Sequence, residues 1–490
     1  MPHLVEIEHP QTLDEYAGVA HLSAAVRSLR DAAAAVVPRM AGRTLWMINS
    51  TAKGGGVAEM LPAKVRLLRD LGVRAEWAVI DTDQPRFFQL TKHLHNLVHG
   101  SGAGDLTPAD RALYEEVNRA NADALAPRLR PRDVVVIHDP QPLPLGGMLR
   151  DRVDVTAIWR CHIGLDSENA ATRAAWEFLA PYCAPYARAV FSAPEYVPPF
   201  LAERAEVIHP GIDPLASKNR EMHAHELVRV LANSALTTTI GPVLRPPFQQ
   251  LAQRLQPDGA FRPAIWPEEN GLLVRPIVTQ VSRWDRLKGF LPLLRAFVLL
   301  KRRARNGDGG LDPVHARRLD IARLVLAGPE PEGVADDPEA AGVLEELTRE
   351  YAGLAPGLQA DIALVTLPMR APRENALMVN ALQRASSLVA QNSLREGFGL
   401  TVAEAMWKRI PVVSNARACG PRHQVRDGLD GLLVRDPEDA GELAGALSDA
   451  LSDPDRQDAW GRNAQRQVHE RFLVFSQLEA WLRLLATLPS

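Results

Sequence analysis

An α/β chain with two doubly wound parallel sheets is predicted by three features of the sequence. The chain has 490 residues, 46% of them hydrophobic, which is more than a single core usually serves. Short apolar or β-branched runs alternate with helix-length segments, and in the second half the order β, α, β, α, β is clear. Two glycine-rich turns, at 54–56 and 397–399, each sit between a strand-like run and a helix-like one, where such folds bring backbone close to a ligand.

Composition narrows the classes of partner. The formal charge is −3 and the pI near 6.6, with no basic stripe, so a nucleic-acid or membrane-surface binder is not expected. Cys161, Cys183 and Cys419 are odd in number and lack metal-ligand spacing, which suits a reducing cytoplasm. The start of the chain lacks a basic stretch followed by an apolar core, and no apolar run reaches membrane-spanning length. A cytoplasmic protein is the expectation.

In chain order, residues 13–37 are helix-prone with Leu22, Val26 and Leu29 on one face. A buried strand at 44–49 runs into Ser50-Thr51-Ala52-Lys53-Gly54-Gly55-Gly56, and a helix follows to about 71. This glycine loop suits a diphosphate or a sugar and equally suits a plain tight turn. After a strand at 74–80, a helix carries Lys92, His95 and Asn96 off the core spacing, as a solvated face or as sugar contacts. The run 133–137 delivers His138-Asp139-Pro140-Gln141, and 155–159 delivers Arg160-Cys161-His162, to the strand ends where open α/β sheets bind ligands. Strands at 189–192 and 205–208 close the first domain. The Pro/Gly-punctuated segment 209–214 ends it, dividing the chain into 1–214 and 215–490, with the final helix expected to cross back.

Residues 215–270 carry helical patches without a clear assignment. Strands follow at 277–281, 324–328 and 362–366, with helices at 338–352 and 374–384. The first strand enters a loop holding Arg283 and Lys288: a rigid fork of donors and a mobile point charge, a pairing suited to a diphosphate. Leu367-Pro368-Met369 is a candidate wall for a base. The run 386–390 leads into Glu396-Gly397-Phe398-Gly399-Leu400-Thr401-Val402-Ala403-Glu404, and 411–414 is the next strand. Gly397 and Gly399 permit close backbone approach, and the helix opening at Leu400 offers N–H groups and a dipole to an anion. Glu396 and Glu404 place two hydroxyl acceptors nearby. The same residues also read as a T-x-x-E capping box at Thr401 and Glu404, with Glu396 a solvated loop charge.

The run 391–408 resembles the E-x7-E signature of retaining nucleotide-sugar glycosyltransferases of the GT-B fold, and looks closest to the trehalose glycosyltransferring synthases. Asn49-Ser50-Thr51 with Gly54–Glu59, Thr91-Lys92 and His95-Asn96 are similar to the same branch, and the resemblance runs from about 44 to 435. It implies two facing Rossmann-like domains with a deep cleft between them, the first for the acceptor and the second for the donor. It implies catalytic roles for Glu396, His162, Arg283 and Lys288. Nucleotide-sugar contacts fall to Arg283, Lys288, Glu396, Gly397, Phe398, Gly399, Leu400, Thr401 and Glu404, with Gly55 and Gly56. Acceptor contacts fall to Lys92, Asn96, Asp139 and Gln141. One departure stands out: Cys419-Gly420 replaces the usual Gly-Gly pair, which leaves the donor loop open.

The activity implied is transfer of glucose, with retention, from a nucleoside diphosphate glucose such as UDP-glucose or ADP-glucose to glucose, giving trehalose. Same-face attack with a phosphate oxygen taking the acceptor's proton is inherited from the family, and no glycosidase-type carboxylate pair is evident. No cofactor or metal is required, with Mg2+ left as an activator. The expected partners are the nucleotide sugar and glucose or trehalose, with a homodimer as the assembly and neither nucleic acid nor membrane. The alternatives are a trehalose phosphorylase, another retaining glycosyltransferase of the same fold, a nucleotide-sugar epimerase, and a sugar-binding protein without turnover.

Overall fold

The computed structural model describes residues 2–7, 11–52, 56–238, 248–307, 310–331 and 339–489. The chain forms two compact units, Met1–Asp213 together with Arg471–Ser490, and Pro214–Glu470. Residues 471–490, placed by sequence in the span 215–490, therefore belong with the first unit.

In the first unit, strands β1 (His3–Leu4), β2 (Leu45–Asn49), β3 (Ala75–Val79), β4 (Val134–His138), β5 (Thr156–Cys161), β6 (Arg188–Phe191) and β7 (Ala205–Val207) make one sheet. Their order is β1-β3-β2-β4-β5-β6-β7. All pairs are parallel except β1 on β3. The chain steps from β2 to β3 on one side and returns to the other side of β2 for β4. At such a reversal the loops leaving the strand ends diverge and open a crevice. Those loops are the segment after Asn49 and the residues His138 to Gln141, so topology alone brings these two sequence candidates to one edge. Lys53, Gly54 and Gly55 lie outside the described residues; Gly56 opens the helix Gly56–Asp70.

The helix-prone stretch at 13–37 is two helices, Leu13–Ala17 and Ser23–Val36. Leu22, Val26 and Leu29 are buried as their spacing predicts. The last helix, Val474–Ala486, lies against Ser23–Val36. Its Trp481 ring sits 3.8 Å from the Lys64 ammonium.

The second unit holds β8 (Gln253–Leu255), β9 (Phe261–Arg262), β10 (Ile277–Val281), β11 (Arg323–Pro329), β12 (Ile362–Leu367), β13 (Leu388–Ala390), β14 (Val412–Asn415) and β15 (Gly431–Val434). The order is β15-β14-β13-β10-β11-β12-β8-β9. Among the described residues the antiparallel pairs are β12 with β8 and β8 with β9, and β8 and β9 come from the stretch the sequence left unassigned. Along β11, Leu324 and Leu326 enter one core cluster while Val325 and Ala327 enter the other. That alternation explains why the strand reads as an unbroken apolar run: both faces are covered by helices. The reversal here falls between β10 and β13. The loops at that point carry Arg283 and Lys288 on one side and Glu396 on the other. No helix among the described residues is long and apolar enough to cross a membrane.

Candidate active site

In the second unit, the loop after β10 is anchored by Trp284, whose buried indole donates to the Pro329 carbonyl at 2.7 Å. Arg283 beside it is exposed. The Asp285 carboxylate accepts from the Leu287 N–H at 2.8 Å and caps one tight turn, Arg286–Lys288. Gly289 then turns the chain with φ 62 into the helix Phe290–Asn306. A side chain there would put its first carbon 2.1 Å from the Asn392 carbonyl oxygen, so the close approach of the two loops needs glycine. Arg286 pairs with Glu346 at 3.1 Å on the exposed side.

Hydrogen bonds fix the loops to one another. The Leu394 N–H donates to the Leu287 carbonyl at 2.7 Å. Gln280, fully buried at the end of β10, donates to the Lys288 carbonyl at 2.7 Å and accepts from the Asn392 N–H at 3.0 Å. The result is that Lys288 Nζ lies 2.6 Å from Glu396 Oε2, with each side chain 16% exposed. Ser393 Oγ donates to the same carboxylate at 3.1 Å, and Gln391 Nε2 donates to Ser393 Oγ at 2.9 Å. Glu396 is therefore a held acceptor and not a solvated loop charge.

The helix Leu400–Trp407 is capped by Gly399, left-handed at φ 81, with no side-chain cap bond. The capping-box reading of Thr401 and Glu404 is thereby excluded. Instead, the turn is held from outside: Gln424 Nε2 donates to the Phe398 carbonyl at 2.5 Å and lies 3.3 Å from that of Gly399. Gly420 sits so close to Phe398 that a methyl there would meet its Cα at 2.3 Å. Of the departing pair Cys419-Gly420, the glycine is thus the residue this turn requires, while Cys419 is buried.

Glu404 points to a second polar cluster. It is buried, and its Oε1 lies 3.8 Å from Lys218 Nζ. One turn on, Lys408 Nζ donates to the Glu404 carbonyl at 3.0 Å and to Gln383 Oε1 at 2.8 Å, and lies 3.3 Å from Asn219 Oδ1. Burial pushes the Lys408 ammonium down to about 7, with the Glu404 carboxylate opposing that fall. Sequence reasoning missed Gln280, Gln424, Lys218 and Lys408. A glutamine inside an apolar strand and a lysine four residues after Glu404 were the available signals.

In the first unit, Asp139 follows β4 with φ 64, a left-handed position that aspartate tolerates better than most residues. Its carboxylate accepts the His162 backbone N–H at 2.8 Å, its N–H donates to the Arg160 carbonyl at 2.7 Å, and its carbonyl accepts the Trp159 indole at 3.0 Å. Burial raises the Asp139 carboxyl to about 6, against the pull of that N–H and of the Arg160 guanidinium. His162 and Asp139 are thus brought together. Gln141 is half-buried with its side-chain oxygen lacking a hydrogen-bond partner among the described residues. Lys92, exposed, and Asn96 stand one turn apart on the helix Pro85–Val98.

Comparisons with known proteins give the family. The family described as trehalose synthase, N-terminal domain, matches residues 47–198, and that described as glycosyl transferases group 1 matches 372–467. The trehalose synthase of Pyrococcus horikoshii is 34% identical over 451 residues, covering 92% of this chain and 91% of that one. A trehalose phosphorylase of Pleurotus pulmonarius is 26% identical, covering 89% of this chain but 56% of its own. In structure, a UDP-forming α,α-trehalose-phosphate synthase from Burkholderia xenovorans, solved with glucose-6-phosphate, superposes with a TM-score of 0.66 at 17% identity, over 91% of this chain and 100% of that one. The fold is GT-B, and the chain belongs to the trehalose synthase family of glycosyltransferases.

Proposed function

We propose that the protein transfers glucose, with retention, from a nucleoside diphosphate glucose to glucose and so forms trehalose. The observation that carries this reading is the Lys288–Glu396 pair at 2.6 Å, on loops that meet beside the glycine-capped helix start. It sets a cation and helix amides for a diphosphate next to a carboxylate for sugar hydroxyls. Breaking the bond from the anomeric carbon to the phosphate oxygen leaves negative charge on the diphosphate. Arg283, Lys288 and the first N–H groups of the helix, at Leu400 and Thr401, are suited to stabilise it as it develops. The acceptor hydroxyl bonds to the anomeric carbon on the same face, and its proton passes to a phosphate oxygen. Glu396 holds the transferred sugar, Glu404 the ribose, and His162 donates to a sugar hydroxyl. Asp139, Gln141, Lys92 and Asn96 bind the acceptor.

No metal is needed for this chemistry, and Mg2+ serves at most as an activator. A homodimer in the cytoplasm is the assembly proposed. Product analysis tests the reading: UDP-glucose and ADP-glucose, each with glucose, should give trehalose and the nucleoside diphosphate from at least one donor. The similarity to phosphorylases supports a second reading, in which trehalose plus inorganic phosphate yields glucose 1-phosphate and glucose, and nucleoside diphosphate has no effect.

The acceptor role of Asp139 has a pH signature. Its ionised carboxylate accepts hydroxyl hydrogen bonds through both oxygens and more strongly than the protonated acid, so kcat/KM for glucose should rise through about pH 6 and level off above it. Asp139→Asn should flatten that limb. A limb unchanged in the variant assigns the titration to another group.

A further inference from the structure

His138 has no role in the reading above, yet it is placed against one that does. It ends β4 in register with Arg160 of β5, so His138, Arg160 and then His162 project to one face of the sheet. His138 Nδ1 lies 3.1 Å from His162 Nε2, and the two rings stack within 12° of parallel. His138 is 2% exposed, and its Nε2 has no hydrogen-bond partner among the described residues. The charged groups facing the pair are Arg160 from β5 and Lys64 from the helix Gly56–Asp70. Burial first, and these two cations second, hold the His138 imidazole well below its ordinary value; His162 is lowered likewise, by burial, Arg160, His138 and Lys64 in turn. Both rings are therefore neutral near pH 7.

Two neutral imidazoles in contact share one proton, and this leaves two arrangements. With His138 protonated on Nε2, a buried N–H would point at no acceptor among the described residues. Orphaned buried N–H groups are rarer and more costly than orphaned lone pairs. With His138 protonated on Nδ1, that N–H donates to His162 Nε2 and only a lone pair is left over. The proton of His162 then resides on its own Nδ1. The Asp139 carboxylate already fixes the His162 backbone, so ring orientation and tautomer are what His138 adds.

We infer that His138 is a positioning residue that locks His162 as the Nδ1–H tautomer, so that His162 offers a donor, not a lone pair, to a sugar hydroxyl oxygen. The inference rests on the glycosyl-transfer reading for its consequence, but the tautomer itself does not. Nitrogen NMR of the ligand-free protein with 15N-labelled histidine, the His162 signal assigned by its loss in His162→Ala, should show protonated Nδ1 and bare Nε2. A His162 protonated on Nε2 overturns the inference whether or not trehalose is made. An Nδ1–H tautomer in a protein that makes no trehalose leaves it standing and rejects the function instead.

Kinetics supply the second arm. His138→Phe keeps the ring and its stacking but removes the donor, and should lower kcat on the order of tenfold, about one hydrogen bond's worth, with KM for the nucleotide sugar little changed. In His138→Asn the amide nitrogen sits where imidazole Nδ1 does, and should restore most of the rate. Equal losses in the two variants, both folded by thermal melting, overturn the positioning role.

Discussion

Lys288→Ala should lower kcat on the order of a hundredfold or more, the usual cost of losing one preorganised donor at a developing anion. The argument starts from placement. Lys288 is held on a one-turn loop between Asp285 and left-handed Gly289, with its carbonyl gripped by Gln280, so the ammonium has little freedom to be replaced by a neighbour. Its ion pair with Glu396 adds a second consequence. Without the cation, Glu396 keeps Ser393 as a donor but loses the Lys288 ammonium, which leaves more negative charge beside the diphosphate. KM for the nucleotide sugar should therefore rise as well, while KM for glucose stays nearly constant. Steady-state kinetics with each substrate varied checks this. Unchanged kcat and KM in a folded variant would place the diphosphate elsewhere.

Glu404→Ala should act mainly through donor binding, with kcat/KM for the nucleotide sugar falling on the order of a hundredfold. It should also disturb the fold in a pH-dependent way. Lys408 is buried, titrates near 7 in the native protein, and draws support from the Glu404 carboxylate. Removing that support drops the native value further below that of the unfolded chain. Below about pH 7 the unfolded state then binds a proton that the folded state binds less readily than before, so the stability deficit of the variant should widen as pH falls. Above that pH, Lys408 is neutral in both folded proteins and its contribution to the difference vanishes. Melting temperatures across this range report it. A deficit independent of pH would show that Lys408 takes no charge support from Glu404.

The longer parallel strands of each half were legible in the sequence because parallel strands buried on both faces must be apolar throughout, as at Val134–His138 and Arg323–Pro329. The glycine turn at 397–399 was legible for a related reason: Gly399 has a left-handed backbone that few other residues adopt. Carboxylates and cations at the ends of such runs marked the candidate site, and the E-x7-E resemblance named its chemistry.

Partnerships were not legible, since they join residues distant along the chain. Nothing local says that Lys288 meets Glu396, that Gln280 stitches two loops, that Gln424 holds the Phe398 turn, or that His138 lies against His162. The capping box at Thr401 was a sound local reading that Gly399 pre-empted by turning the chain two residues earlier. The short strands β1, β8, β9 and β15 were missed because two to four residues carry too little periodicity, and sheet edges rather than local preference recruit them. The sequence by itself therefore determined the longer elements and which side chains arrive at the strand ends. Tertiary structure decided what each charge and each imidazole faces, because burial and hydrogen-bond geometry arise only when those ends are brought together.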